Sequence, residues 1–185
     1  MTALLDLARS IALEAGELAA RRRREGVEVA ATKSTIVDVV TEADREVERL
    51  ILGRIRDARP DDGVLGEEGA SVASSSGLTW VVDPIDGTVN YLYGLPHYAV
   101  SIALVEGDPD PLTWAAKAGV VLNPATGEIF TAEAGGGAYC GDRRIQVGEP
   151  VELDVALIAT GFAYAAKTRA SQGDVVARLL PQVRD

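Results

Sequence analysis

Asp83 and Asp86 stand three residues apart at the end of an apolar run, Trp80-Val81-Val82, with Pro84 and Ile85 between them. Gly87 and Thr88 follow at once, and a second acidic element, Gly66-Glu67-Glu68-Gly69, lies upstream. Carboxylates gathered at a strand end want a counter-charge, and a hard divalent cation bound through oxygen supplies one. Val81 and Val82 would lead Asp83 out of a sheet, and Pro84 would stiffen the bend. Asp83 and Asp86 would then face one cavity, with the Ile85 carbonyl as a further oxygen donor. Glu67 or Glu68 would complete the cluster. Without a cation, carboxylates crowded in this way raise one another's pKa. The Gly87-Thr88 step offers backbone N–H groups to an anion at a helix start, and Gly87 permits close approach. Together these residues describe a Mg²⁺-assisted phosphate site. One metal would lower the pKa of a bound water while another steadied the leaving oxygen. Phosphoryl transfer needs little beyond such positioning and charge neutralisation.

The elements that must hold these residues are legible in the spacing. Residues 2–24 read as a helix with Leu4, Ala8, Ile11, Ala15 and Leu18 on one stripe. Arg21-Arg22-Arg23-Arg24 closes it, where cations complement the helix dipole. Val27 to Ala31 suggests a strand. Residues 42–58 read as a second helix burying Val47, Leu50, Ile51, Ile55 and Ala58, with Pro60 just past its end. Val64-Leu65 is a short strand leading to the Glu67-Glu68 loop. Ala70–Gly77, rich in serine, reads as a flexible surface loop. Short strands follow at about 79–83, 98–105, 117–123, 128–132 and 143–147, separated by Gly, Pro and Asn-rich breaks. That hairpin-like spacing argues for an antiparallel sheet. Beyond Pro150 a βα unit begins, with a buried strand at Val155–Ala159 and a helix over 170–183. The expected organisation is an N-terminal α+β metal-binding domain over 1–150 and the start of an α/β subdomain over 151–185. Gly135-Gly136-Gly137 is not a nucleotide loop, since no Lys-Ser/Thr follows it.

Composition narrows the function. Apolar residues are 47% of the 185 and aromatics 5%, so aliphatic side chains must fill the core. With 18 Lys and Arg against 28 Asp and Glu, the net charge of −10 disfavours direct nucleic-acid binding and anionic membranes. An anionic substrate would be repelled unless bound Mg²⁺ inverted the local field. A single cysteine, Cys140, excludes an intramolecular disulfide framework and a Cys-rich zinc site. No apolar run approaches the roughly 20 residues that span a bilayer, and the N-terminus lacks a basic n-region. A cytoplasmic protein is expected.

The longer pattern resembles the inositol monophosphatase family. Gly66-Glu67-Glu68 followed by Trp80 through Tyr91 is similar to the family's first signature. Lys33 through Asp44 resembles its upstream Lys-Ser-x-x-Asp-x-Val-Thr-x-x-Asp element. Pro96–Leu104 resembles the strand after the signature, and Gly135–Val147 the later glycine-rich hairpin. Nearly all the residues can be placed within the family's N-terminal two thirds. The resemblance implies an α/β (α+β) fold, a layered α/β/α/β/α sandwich with its C-terminal subdomain incomplete. It also implies a Mg²⁺-dependent, Li⁺-inhibited phosphatase that is usually a homodimer. Carried over residue by residue, Glu67, Asp83 and the Ile85 carbonyl would hold a first metal, and Asp83 and Asp86 a second. Glu67 would also reach a third. Asp86, Gly87 and Thr88 would contact substrate, and Thr88 with Asp44 would activate the attacking water. Lys33, Asp38 and Glu68 would support them. The family's second signature, a Trp-Asp pair that supplies another ligand, is absent, because Val81 and Ala115 follow the two tryptophans. The chain is therefore expected to be a fragment, with weak or no activity if it is the whole molecule.

Bland readings stand beside these. A lone Asp-x-x-Asp is most often a turn or helix cap, and Glu67-Glu68 alone a solvated loop. Thr41-Glu42-Ala43-Asp44 has capping-box spacing, so Asp44 can cap the second helix as well as serve chemistry. His97, the one histidine, reads as structural or surface, and Cys140 as a small packed residue. The expected substrate is a small polyol phosphate, inositol monophosphate by default. Histidinol phosphate, sugar bisphosphates and nucleotide phosphates are the alternatives within the same chemistry. A non-catalytic regulator binding the transcription machinery, or a metal-binding remnant without turnover, is the reading of another class.

Overall fold

Apolar residues three and four apart put one face of the first helix against the core. The computed structural model describes residues 2–27, 29–32, 39–107 and 110–185. In it α1 spans Ala3–Glu25 and buries Leu5, Ala8, Ile11, Ala12, Ala15, Leu18 and Ala19. Leu4 packs only partly against that core, so the stripe is shifted from the expected one. Strands β1 (Val29–Thr32) and β2 (Val39–Thr41) form a separate two-stranded sheet. Helix α2, Glu42–Ala58, buries Val47, Ile51 and Ile55. Leu50 is half-buried and Ala58 exposed, unlike the expected buried face.

The remaining strands are β3 (Gly63–Gly66), β4 (Ser71–Val72), β5 (Leu78–Asp86), β6 (Ala99–Glu106), β7 (Ala115–Leu122), β8 (Ile129–Glu133), β9 (Gly137–Cys140) and β10 (Arg143–Ile145). They form one sheet in the order β10-β9-β8-β7-β6-β5-β3-β4. Its inner face contributes Trp80, Val82, Val100, Ile102, Leu104, Val120 and Leu122 to the core beneath α1 and α2. The hairpins are antiparallel as their spacing predicts, with one exception. β3 and β5 run parallel, Gly63 opposite Thr79 and Gly66 opposite Val82. The serine-rich stretch is not a free loop. It carries β4, paired with β3, and is tied down where Ser76 Oγ donates to Asp62 Oδ1 at 2.7 Å. Asp62 is itself buried, accepting from Trp80 Nε1 at 2.9 Å and pairing with Arg59.

The chain divides into two compact units, residues 1–31 with 40–146, and 32–39 with 147–185. The second holds α4 (Ala166–Leu179) between 3-10 turns at Leu153–Val155 and Leu180–Gln182. The expected buried strand at Val155–Ala159 is not formed, and Leu157 is 78% exposed. Two backbone bonds, Ile158 N to Asp185 O and Arg184 N to Ala156 O, tie the segment to the chain end. That is too little for a ladder, and a strand is stabilised by cross-strand pairs. The expected helix over 170–183 starts earlier and stops before Pro181, which cannot continue the hydrogen-bond pattern.

Candidate active site

Two parallel strands ending at one edge bring the acids together. The β3–β5 ladder runs one residue past β3, where Glu67 N donates to Val82 O at 3.0 Å. Glu67 therefore leaves the sheet beside Asp83, although 16 positions separate them in the chain. Beyond Asp83 the pairing of β5 with β6 slips, and it resumes with Asp86 opposite Ala99. Pro84 lies in that slip, and with no N–H to give the ladder it belongs at such an irregularity. The bulge turns Asp83, Ile85 and Asp86 away from regular alternation. Ile85 is fully buried, Asp83 half-buried, and Asp86 exposed at the strand end.

Gly87 then turns the chain into α3, Thr88–Tyr93, with φ +89°. A Cβ there would meet the His97 carbonyl oxygen at 2.9 Å and Tyr98 Cα at 3.4 Å. Both the left-handed backbone and the close approach require glycine. Tyr91 fixes the short helix from below, its hydroxyl donating to Ala19 O at 2.9 Å and its ring edge-on to Tyr98 at 4.9 Å. Thr88 is thereby held buried, and its Oγ1 donates to Ile85 O at 3.1 Å and to Asp44 Oδ1 at 3.2 Å.

Asp44 reaches this point from the first turn of α2. Its other oxygen, Oδ2, accepts from Thr41 N at 2.7 Å and from the Thr41 hydroxyl, completing a reciprocal capping box. The side chain is fully buried. Burial pushes its carboxyl above the ordinary 3.8, and the hydrogen bonds from Thr41 and Thr88 oppose that rise. Cap and partner of Thr88 are thus one carboxylate in two contacts.

Glu67 is exposed and Glu68 half-buried on the turn after β3. Lys33 and Asp38 lie outside the described residues. Among the described residues, no three His, Cys, Asp or Glu side chains are arranged to hold a metal ion. The backbone gathers the origins of Glu67, Asp83 and Asp86 at one edge without drawing their carboxylates into a closed cluster. As a donor set they fit a hard divalent cation, being carboxylates and a main-chain carbonyl with no nitrogen or sulfur. His97 is exposed and offers its carbonyl to Asn90 Nδ2 at 2.7 Å, while Cys140 is half-buried in β9.

One residue escaped the sequence reading. Glu48 is a buried carboxylate on α2 whose Oε1 accepts the Glu68 N–H at 3.2 Å. The signal was its place one helical turn after Asp44, on the same face, where a charge beside Val47 and Ile51 is out of pattern.

A mixed α+β fold with oxygen-donor acids at one sheet edge, backed by a buried Thr–Asp pair, places the molecule in a recognised class of proteins. The chain belongs to the inositol monophosphatase family, whose model matches residues 1–185. It is 41% identical over 168 residues to the inositol-1-monophosphatase of Rhizobium meliloti (strain 1021), covering 90% of this chain and 60% of that protein. It is 40% identical over 151 residues to the Nus factor SuhB of Xylella fastidiosa, covering 80% of this chain and 52% of that one. Among solved structures, the extragenic suppressor protein SuhB of Bartonella henselae superposes with a TM-score of 0.88 at 33% identity, over 99% of this chain and 69% of that one. The chain thus spans little more than half the length of the two sequence relatives.

Proposed function

We propose that this chain carries the metal-binding half of a Mg²⁺-dependent phosphomonoesterase acting on a small phosphorylated polyol, inositol monophosphate by default. The observation that carries the reading is the hydrogen-bonded series Ile85 O, Thr88 Oγ1, Asp44 Oδ1 at the end of the strand that bears Asp83 and Asp86. Glu67, Asp83, Asp86 and the Ile85 carbonyl would hold the metal, with Glu68, Lys33 and Asp38 in support. When bound, Mg²⁺ neutralises phosphate charge and acidifies water.

The chain's own residues do the rest. Thr88 Oγ1 lies within hydrogen-bond reach of Asp44 Oδ1 and Ile85 O, and with its one proton given to Asp44 its lone pairs are left to accept a proton from a water at the strand end. As that water attacks phosphorus, its proton passes to Thr88 Oγ1 and the Thr88 proton passes to Asp44. The ester P–O bond breaks, and the leaving oxygen is protonated from solvent. A carboxyl raised by burial is the better acceptor for that proton. Gly87, without a side chain, lets phosphate approach the backbone closely. A homodimer inhibited by Li⁺ is part of the same reading, drawn from the family resemblance, and a cytoplasmic setting is the part drawn from composition.

A second reading has one specific support, the relative named Nus factor SuhB: a regulatory protein of this fold that binds the transcription machinery without turnover. Phosphate release by the full-length protein from a panel of phosphomonoesters, with and without Mg²⁺, separates the two. Mg²⁺-dependent release from a polyol phosphate is expected. Mg²⁺ binding with no release from any ester would overturn the enzyme reading and favour the second.

A further inference from the structure

Glu48 is acidic, yet only 7% of it is exposed. It sits on α2 one turn after Asp44, and its Oε1 accepts the Glu68 N–H at 3.2 Å. The same oxygen crowds the place a Cβ on residue 66 would take, and Glu48 Cδ lies 3.1 Å from that place. Ala70 Cβ closes the other side, also at 3.1 Å. Glycine at 66 is therefore what admits the carboxylate to the turn.

Among the described residues, backbone and side-chain bonds fasten the turn to its neighbours. Gly66 N donates to Ala70 O at 2.7 Å, and Glu67 N donates to Val82 O at 3.0 Å. A third is the bond from the Glu68 N–H to Glu48, which spans from the helix layer to the sheet edge. The bond holds a main-chain amide of the turn against a side chain of another element. A buried carboxylate is nevertheless a poor device for stability alone, because an apolar side chain of similar volume is often as good or better there. Its value lies in direction: a backbone N–H aimed at a fixed oxygen sets the orientation of its peptide plane, and that plane joins Glu67 to Glu68.

We propose that Glu48 is a positioning residue for the acidic turn. It fixes the Gly66–Gly69 segment so that the Glu67 carboxylate leaves toward Asp83. The proposal rests on the reading of Glu67 as a metal ligand. It makes α2 the common ruler of the site, with Asp44 setting Thr88 and Glu48 setting Glu67 from one rigid helix.

Two measurements on the full chain test it: calorimetric titration with Mg²⁺ alone, and hydrogen exchange at the Glu68 amide. E48A is expected to weaken Mg²⁺ binding about tenfold or more, as loss of a residue that orients a ligand does, and to speed Glu68 exchange by a similar factor. E48Q keeps an acceptor oxygen in the same place and should return both to within about twofold of wild type. G66A pushes the carboxylate out from the other side and should speed exchange and weaken Mg²⁺ in the same direction; added to E48A it should do little more. Wild-type exchange and Mg²⁺ affinity in E48A would overturn the proposal, as would an E48Q that fails alongside E48A. Should E48A not fold, unchanged Glu68 exchange in G66A overturns it instead. A wild-type chain that takes up no Mg²⁺ overturns the metal reading of Glu67, while Glu68 exchange in the variants still decides the role of Glu48.

Discussion

Thr88 Oγ1 donates to Asp44 Oδ1 at 3.2 Å, joining the head of α3 to the first turn of α2 across 44 positions of sequence. Asp44 meanwhile caps its own helix through Thr41. The capping contacts hold the carboxylate still, so the second contact has a fixed geometry to work with.

Replacing Thr88 by Ala should lower kcat by about 10² to 10⁴, the usual contribution of a positioned proton-transfer group, with KM little changed. Thr88→Ser, which keeps the hydroxyl, should retain most of the activity. Asp44→Asn should lose turnover to a similar degree, and about 1 kcal/mol of stability through the weakened cap. Steady-state kinetics of the full-length protein beside urea unfolding check both. A fully active Asp44→Asn enzyme would remove Asp44 from the mechanism and leave it a cap.

Asp86 is exposed at the end of β5, so its loss should scarcely touch the fold. Asp86→Asn is expected to stay within about 0.5 kcal/mol of wild type, as surface changes do, while turnover falls about a hundredfold or more with Mg²⁺ affinity. Melting curves and Mg²⁺ titration on the same samples separate the two effects. An active variant would take Asp86 out of the site.

At Gly87 the argument is steric. With φ at +89° and the His97 carbonyl 2.9 Å from any added Cβ, Gly87→Ala should cost about 1–3 kcal/mol, the range for a strained backbone residue. Chemical denaturation should show that loss, together with reduced phosphate binding as Thr88 shifts.

Acid stability should report on Asp62. Burial pushes its carboxyl up, but hydrogen bonds from Arg59, Ser76 and Trp80 outweigh that and hold it below the ordinary 3.8. A depressed value means the unfolded chain binds the proton more tightly. The stabilisation is therefore present above 3.8 and lost as pH falls through the lower folded value. Asp62→Asn should be less stable at neutral pH by about 1–3 kcal/mol, and its unfolding midpoint should change less between about pH 5 and about pH 2. An unchanged acid limb would show that Asp62 is not the group responsible.

Much of the fold was legible along the chain, because its signals are local. α1 and α2 fall within a residue or two of the ranges that their apolar periodicity predicts, and the strands from β5 onward follow the Gly and Pro breaks except β9, Gly137–Cys140, which lies between two glycine breaks and was not read as a strand. The reading failed where an element depends on a distant neighbour. Val155–Ala159 has strand-like residues and no ladder to join. Ser71–Val72 has loop-like residues and pairs with β3 because that edge was open.

The candidate site divides along the same line. The chain by itself determined the oxygen-donor chemistry of Glu67, Asp83 and Asp86, the bend at Pro84, the glycine at 87 and the capping box at Thr41–Asp44. Each of these rests on residue type and on spacings of a few positions, over which the backbone geometry is nearly set. Only the tertiary structure decided that Glu67 leaves the sheet beside Asp83, that Thr88 meets Asp44, and that Glu48 reaches the acidic turn. Those meetings follow from a parallel register and from the packing of α2 on the sheet. Both are set by the shared apolar core, whose packing partners are far apart in the chain.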